Sequence, residues 1–323
     1  MTVFGFGEVL LRYTPPDYKQ LKDANTFGVN VGGAELNALV TLSQFGHATE
    51  MLTVLPQHAL GNLAMKKLYQ TQVGTTFLKQ QDGRIGTYYM EESFDFRSGK
   101  VIYDREHSTF TEYGSSIIDD LPIQSGDYFV LTGITLAVNT TVRQHIVDAL
   151  TKLKQQGVKI IFDINFRSNL WSKEEAVPVI KSILPLVDVL FFGKKDATHL
   201  LETNSEEDDM KTCAETIQSQ YEIPLMASSN RDIEQSTLQG IMLSQQSYIE
   251  GQAYQYTVLN RIGAGDAFMA GVLHGLIRNW QLDETIDFAT KCSVLQHTTN
   301  EDALSVEEND VHNLSSHFGG LSR

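Results

Sequence analysis

The stretch VKIIFDINF, residues 158–166, is a run of β-branched and aromatic residues broken by a charge at Asp163. Such residues favour a pleated, buried strand. Just before it, Ile146, Ala149, Leu150 and Leu153 recur at helical spacing, and Gly157 ends that helix. Just after it, DVLFFG (188–193) reads as a second buried strand, followed by an acid-rich segment, a helix through Cys213 and Ile217, and the strand-like IPLMASS. DYFVLTGI (127–134) precedes the series. Strands and helices joined in alternation predict βαβ units and a mostly parallel central sheet covered by helices on both faces, an α/β fold.

Two segments break the rhythm. RIGTYYMEESFDFRSGKVIYDRE (84–106) alternates polar and apolar residues around a central Ser-Gly, the pattern of a β-hairpin. RYTPPDYKQLKDANTFGVN (12–30) is irregular. Together they predict a small β-sheet lid, from about 12–30 and 75–112, on one domain spanning 1–323.

The 323 residues carry 41% hydrophobic and 20% charged side chains with only 7 prolines, a globular composition. A formal charge of -15 speaks against nucleic acid and anionic membranes as partners, though not against small anions held by local arginines. Two cysteines, Cys213 and Cys292, imply neither a disulfide framework nor a zinc site and read as buried small residues. The start MTVFGFGEVLL lacks the pattern of a secretory signal, and no apolar run is long enough to span a bilayer, so a cytoplasmic protein is expected. The nine histidines show no metal-ligand spacing and read as surface or capping residues, while Trp171 and Trp280 read as packing or surface anchors. EEDD (206–209) reads as a solvated helix start, and the tail HNLSSHFGGLSR as frayed.

Four constellations could carry chemistry. In FDINFR (162–167), strand alternation puts Asp163, Asn165 and Arg167 on one face, with Ile164 and Phe166 on the other. Three polar residues at a strand's end fit the ligand crevice at the carboxyl edge of a parallel sheet. In YDR (103–105), Tyr103 and Arg105 share a face, with Tyr88 on the preceding arm; a planar guanidinium suits a carboxylate or phosphate. GVNVGGAELNALVTLSQFG (28–46) sets Gly32 and Gly33 before a helix whose Leu36, Leu39 and Val40 face a core, and Gly46 closes it. RIGAGDAFMAG (261–271) places Gly263, Ala264 and Gly265 before Asp266 and an apolar helix. Taken alone, that stretch is either a helix capped by Asp or an anion cradle of backbone N–H groups beside a carboxylate. GFGEVLL lacks the third glycine and the helix of a dinucleotide fingerprint.

GGAELN, FDINFR and GAGDAFMAG, in that order, resemble the signatures of the PfkB (ribokinase-like) carbohydrate kinases and span most of the chain. Tyr88, YDR, TGITLA (132–137) and FDINFR are most similar to members acting on 2-keto-3-deoxygluconate. The resemblance implies a ribokinase-like fold, ATP, Mg²⁺ and, in some members, a monovalent cation. It implies Asp266 as the base, with the amides of Gly263, Ala264 and Gly265 as an anion hole for the transferred phosphoryl group. At a helix start, Asp266 is expected to be ionised near neutral pH. Gly271 and Gly275 are expected to bring that helix close to the sheet. The resemblance places Tyr88, Tyr103, Arg105 and Arg167 around the carboxylate end of an acid sugar, and Gly33 and Ile134 around its body. It sets Gly263, Gly265, Asn165 and Asp196 toward the nucleotide, Asp196 also holding the metal through water. A homo-oligomer through the lid is expected.

Three positions depart from the family pattern, all on the nucleotide side. VLNRIGAGD has Asn260 where an Asp is usual, and GKKD puts Gly193 and Asp196 at the Asn-x-x-Glu motif. IPLMASSNRDIEQSTLQG has no glycine before Gly240 where a glycine-containing loop is usual. A kinase for another sugar, a ketohexose or related acid sugar, and a kinase-like sugar-acid-binding protein with little turnover remain alternatives.

Overall fold

A computed structural model describes residues 1–118, 121, 123–201, 209–232 and 234–314. The strands in chain order are β1 (Val3–Phe6), β2 (Leu10–Thr14), β3 (Gly28–Gly32), β4 (Thr49–Leu52), β5 (Val54–Pro56), β6 (Lys79–Gln81), β7 (Gly86–Glu91), β8 (Lys100–Asp104), β9 (Tyr128–Thr132), β10 (Lys159–Asp163), β11 (Val189–Phe191), β12 (Leu225–Asp232), β13 (Thr237–Ser244) and β14 (Tyr248–Gln255). Eight of them form one sheet in the order β14-β13-β12-β11-β10-β9-β1-β4. From β4 to β12 the pairs are parallel, and β12, β13 and β14 close that edge antiparallel.

Side-chain alternation along these strands feeds two cores. Phe129, Leu131, Ile160, Phe162 and Leu190 pack on one face against Ile146, Leu150 and Leu153 of the Thr140–Gln155 helix and Ile180 of the Lys173–Ile183 helix. Val130, Ile161, Val189 and Phe191 pack on the other against Leu36, Leu39 and Val40 of the Ala34–Gln44 helix and Val272 and Leu273 of the Ala264–Ile277 helix. Both helix faces predicted from periodicity are therefore core faces. Gly157 (φ +82°) and Gly46 (φ +82°) adopt left-handed turns just after their helices. Cys213 and Cys292 are buried on helices, as expected.

The second sheet is four-stranded, in the order β3-β2-β7-β8. The predicted hairpin is β7 and β8, with Tyr88 opposite Tyr103. The rest differs from expectation. Within 12–30, the two ends are strands rather than irregular chain, because β2 is paired on both sides and so is stabilised by tertiary contacts that its sequence does not show. Within 75–112, β6 pairs instead with β5, and Phe110 of the short Thr109–Tyr113 helix enters the main core.

Other expectations are corrected. Gly271 and Gly275 face the Leu282–Gln296 helix, not the sheet: a Cβ at the first would meet the Ala289 backbone at 2.6 Å, and at the second Thr285. His274 and His297 are fully buried, so they are core rather than surface residues. His58, by contrast, does cap a helix, accepting from Leu60 N. Trp171 is a packing residue. In EEDD, residues 206–208 lie outside the described chain; Asp209 caps the Met210–Tyr221 helix, accepting from Thr212 N at 2.7 Å. The tail beyond residue 314 also lies outside it. Among the described residues, no helix is long and apolar enough to cross a membrane.

Two buried ion pairs fasten the second sheet to the main body. Arg12 Nε donates to Asp302 Oδ1 at 2.9 Å and Arg12 Nη2 to the Asn300 carbonyl at 2.6 Å. Arg105 Nε donates to Glu8 Oε2 at 2.8 Å, and Ser108 Oγ donates to the other oxygen of Glu8. Side chains at Gly32 and Gly86 would occupy the space of the Asp302 and Glu8 carboxylates, so both glycines leave room for a charge. Removing one partner of such a pair strands the other without water. Arg12→Met is expected to lower unfolding free energy by about 3–5 kcal/mol. Urea unfolding checks this, and the Arg12→Met/Asp302→Leu double variant is expected to regain most of the loss.

Candidate active site

The carboxyl ends of β9, β10, β11 and β12 open into one cleft of about 720 Å³, facing Leu10, Tyr88, Val101 and Tyr103 of the second sheet. Register explains those contacts: Arg12, Tyr88 and Tyr103 lie in one row across β2, β7 and β8, and that face looks into the cleft. Gly33, Tyr88, Tyr103, Arg105, Ile134, Asn165, Arg167, Asp196, Gly263, Gly265 and Asp266 all line it. Residues scattered over more than 230 positions of sequence thus meet in one place. Ala264 is buried beneath it, as the first residue of its helix.

β10 ends at Asp163, whose Oδ1 accepts from Asn165 N at 3.1 Å. This turn sets Asn165 at φ +36°, in the left-handed region that Asn tolerates. Strand alternation therefore stops, and Phe166, expected on the opposite face, also lines the cleft.

The Ala264–Ile277 helix begins at Gly263, whose φ of +75° favours glycine. A Cβ there would also collide with the Asp302 carbonyl. At Gly265 a Cβ would meet nothing, so the missing side chain leaves the cleft open there. The first amides of a helix have no partner inside it and carry its partial positive charge. Asp266 does not cap this helix; its Oδ2 accepts from Asn37 Nδ2 at 2.7 Å.

Burial pushes the Asp266 pKa up to about 7, with the Glu35 and Asp302 charges adding to it and Asn37 and Arg167 opposing. The expectation that Asp266 is ionised near neutral pH is corrected to partial ionisation there, since loss of water outweighs the helix end. Burial and the charges of Asp196 and Asp266 also raise the pKa of Asp163. Asp196 is raised chiefly by burial, against the Gly193 N–H that it accepts at 2.8 Å. No group of three or more His, Cys, Asp or Glu among the described residues could hold a metal ion directly. Asp163 and Asp196 nevertheless form a crowded acidic pair that a cation would relieve through intervening water.

Several residues in or beside the cleft escaped the sequence reading. Asn37 closes GGAELN one helical turn in from the double glycine, and that spacing, which turns it back toward the helix start, was its only signal. Glu35 is fully buried and accepts from Thr132 N at 3.0 Å, Thr132 Oγ1 at 2.8 Å and Thr135 Oγ1 at 2.7 Å, fixing the segment that presents Ile134. Asp302 accepts from the Tyr88 hydroxyl at 2.9 Å, so that hydroxyl is already engaged. Arg105, read as a ligand for an acid sugar, is paired with Glu8, whereas Arg167 makes no ion pair among the described residues. Lys194, Lys195, Arg231 and Arg261 add four further cations to the walls. Asn260 accepts from Ile262 N at 3.0 Å and so shapes the turn into Gly263.

A carboxylate with a pKa near neutrality, next to free amides, can accept a proton from a hydroxyl while the amides face a developing negative charge. The sign of the pH effect follows. Asp266 must be ionised to accept, so activity is expected to fall as pH drops through about 7, tending to tenfold per unit well below it. In Asn37→Ala the donor is lost and the acid limb is expected to move to higher pH. Rate profiles from pH 5 to 9 check both. Stability runs the other way. The folded state holds this proton more tightly than the unfolded chain, so stability falls as pH rises from about 3.8 to about 7 and then levels.

The family model described as pfkB family carbohydrate kinase matches residues 2–309. The chain is 27% identical over 311 residues to a 2-dehydro-3-deoxygalactonokinase of Haloferax volcanii, covering 95% of this chain and 94% of the relative. A solved PfkB family carbohydrate kinase of Listeria grayi superimposes with a TM-score of 0.89 at 32% identity, covering 96% and 98% of the two chains. A solved 2-dehydro-3-deoxygluconokinase of Thermotoga maritima gives 0.90 at 28%, covering 98% of each. The chain belongs to the pfkB family of carbohydrate kinases, and it is a sugar kinase that uses ATP.

Proposed function

We propose that this pfkB-family kinase transfers the γ-phosphoryl group of ATP to the terminal hydroxyl of 2-keto-3-deoxygluconate, giving 2-keto-3-deoxy-6-phosphogluconate and ADP. The observation that carries the proposal is a single cleft joining the buried Asp266, at a helix start, to the guanidinium of Arg167, which makes no ion pair among the described residues. The names of its relatives, two of which act on 2-keto-3-deoxy sugar acids, support it.

Asp266 takes the hydroxyl proton as the oxygen attacks phosphorus, the bond to ADP breaks, and the leaving phosphate oxygens keep the electron pair. Asn37 holds the carboxylate in place. The amides of Gly263, Ala264 and Gly265 face the charge on the phosphoryl group in flight. Asp196, with Asp163 beside it, would hold Mg²⁺ through water, and that ion neutralises phosphate charge when bound. Asn165 lies on the same nucleotide side. Tyr103 and Arg167 receive the substrate carboxylate, with Tyr88 and Arg105 behind them, and Gly33 and Ile134 bound its body. The second sheet acts as the lid of one kinase domain.

The pairing of Arg105 with Glu8 favours a second reading, a neutral ketohexose as acceptor, because it leaves Arg167 as the principal charge for an acid. Arg167→Met separates the two. For the acid-sugar reading, kcat/KM toward 2-keto-3-deoxygluconate should fall roughly 100-fold with fructose turnover unchanged, by loss of a charge-assisted bidentate contact. Equal loss on both sugars, or none, would count against it. Asp266→Asn should lose roughly 100- to 10,000-fold of kcat and, with its buried charge gone, melt at a higher temperature at pH 8.

The lid also supports a proposed homodimer. Val29, Tyr13, Tyr89 and Ile102 form one row on its outer face, where Val29 and Ile102 are exposed and the two tyrosines stack at 5.3 Å. An exposed apolar sheet face of this kind suits a second copy of the chain. Sedimentation velocity is expected to give a dimer for the native chain and a monomer for Val29→Glu/Ile102→Glu.

A further inference from the structure

Glu8 lies between β1 and β2, lines the cleft, and has no part in the phosphoryl transfer itself. Its carbonyl occupies the space that a side chain at Gly33 would need. Its side chain points to Arg105, and both are buried, at 3% and 6% exposure. Arg105 Nε and Nη2 both donate to Glu8 Oε2, while Ser108 Oγ donates to Oε1. Ser108 is itself fixed, because its Oγ caps the Thr109–Tyr113 helix by accepting from Thr111 N at 3.2 Å. On its other side, the Arg105 guanidinium carbon lies 5.6 Å from the centre of the Tyr103 ring. The guanidinium is thus clamped between a carboxylate and a ring, and only Nη1 makes no hydrogen bond among the described residues.

This clamp fastens the second sheet, and it also sets the charge of the cleft. Opposite charges in contact act on a third charge as a dipole, whose pull falls away faster than that of a bare cation. The Nε–Nη2 edge of Arg105, one of the two that could hold a carboxylate in parallel bonds, is taken by Glu8. Arg167 lines the same cleft and makes no ion pair among the described residues, so its charge is uncancelled. The two arginines therefore offer a sugar different things.

We propose that Glu8 sets the acid selectivity of the cleft, holding Arg105 in place and cancelling its charge, so that Arg105 Nη1 serves an uncharged sugar oxygen and Arg167 supplies the charge for the carboxylate. Glu8 is a positioning residue that acts through Arg105. The proposal rests on the acid-sugar reading of the same cleft.

Values of kcat and KM on 2-keto-3-deoxygluconate and on fructose test it. Glu8→Gln keeps an oxygen for Arg105 and removes the negative charge. It is expected to lower KM for the acid about tenfold, with kcat and fructose turnover little changed. In the Arg167→Met background the same change is expected to recover about tenfold of the lost kcat/KM on the acid, because the released charge of Arg105 takes over. Glu8→Gln/Arg105→Gln removes both charges and is expected to keep the acid within about fivefold of native kcat/KM. It strands no charge, so it decides the matter if Glu8→Gln alone does not fold. A fall of about 100-fold in that double variant, with fructose unchanged, would show Arg105 to be the carboxylate's own partner and overturn the proposal. No recovery in the Arg167→Met background, or equal loss on both sugars in Glu8→Gln, also overturns it. A native protein active on fructose and not on the acid removes the acid-sugar reading; Glu8→Gln is then expected to gain acid turnover, and no gain removes the proposal too. A native protein active on neither sugar removes both.

Discussion

Asp302 is the residue on which the two halves of this molecule depend. Its carboxylate takes Arg12 and Tyr88 from the second sheet, and its carbonyl occupies the space that a side chain at Gly263 would need. Gln296 braces the same place, donating to the Ile262 and Glu301 carbonyls at 2.9 and 2.7 Å. The position of the second sheet and the aim of the Ala264–Ile277 helix are thereby set by one buried loop. A charge so placed is costly unless fully paired, and here the guanidinium of Arg12 and the phenol of Tyr88 supply that pairing.

The electrostatics of the cleft follow from keeping charges dry. Asp163, Asp196 and Asp266 crowd together and each holds its proton more firmly than in water, whereas the rim collects arginines and lysines with few acids to answer them. Such a site repels a bare carboxylate from its floor and attracts polyanions to its mouth. The net charge of the chain gives no hint of this, since the field at a cleft is set by the few groups that line it.

Much of the architecture was legible because it rests on local rules. Strand runs of β-branched and aromatic residues, helix faces such as Ile146–Leu153 and the hairpin of β7 and β8 each follow from periodicity. The ordered motifs brought Gly33, Arg167 and Asp266 to one site before any geometry was known. What escaped was tertiary. β2 and β3 are strands through pairing, Phe166 turns into the cleft because Asn165 is left-handed, and Gly271 serves a helix–helix contact. The neutral-range pKa of Asp266 could not be read from a helix start, since it arises from how much protein surrounds the carboxyl group. Nor could the partner of Arg105 be read, because Glu8 lies 97 residues away.

The most direct measurement is ³¹P NMR of the native protein with ATP, Mg²⁺ and 2-keto-3-deoxygluconate. A phosphomonoester signal coupled to the two protons of a terminal CH₂, growing one for one with ADP, is the predicted result. ADP appearing only with inorganic phosphate, or a phosphomonoester formed from fructose but never from the keto-deoxy acid, would contradict it.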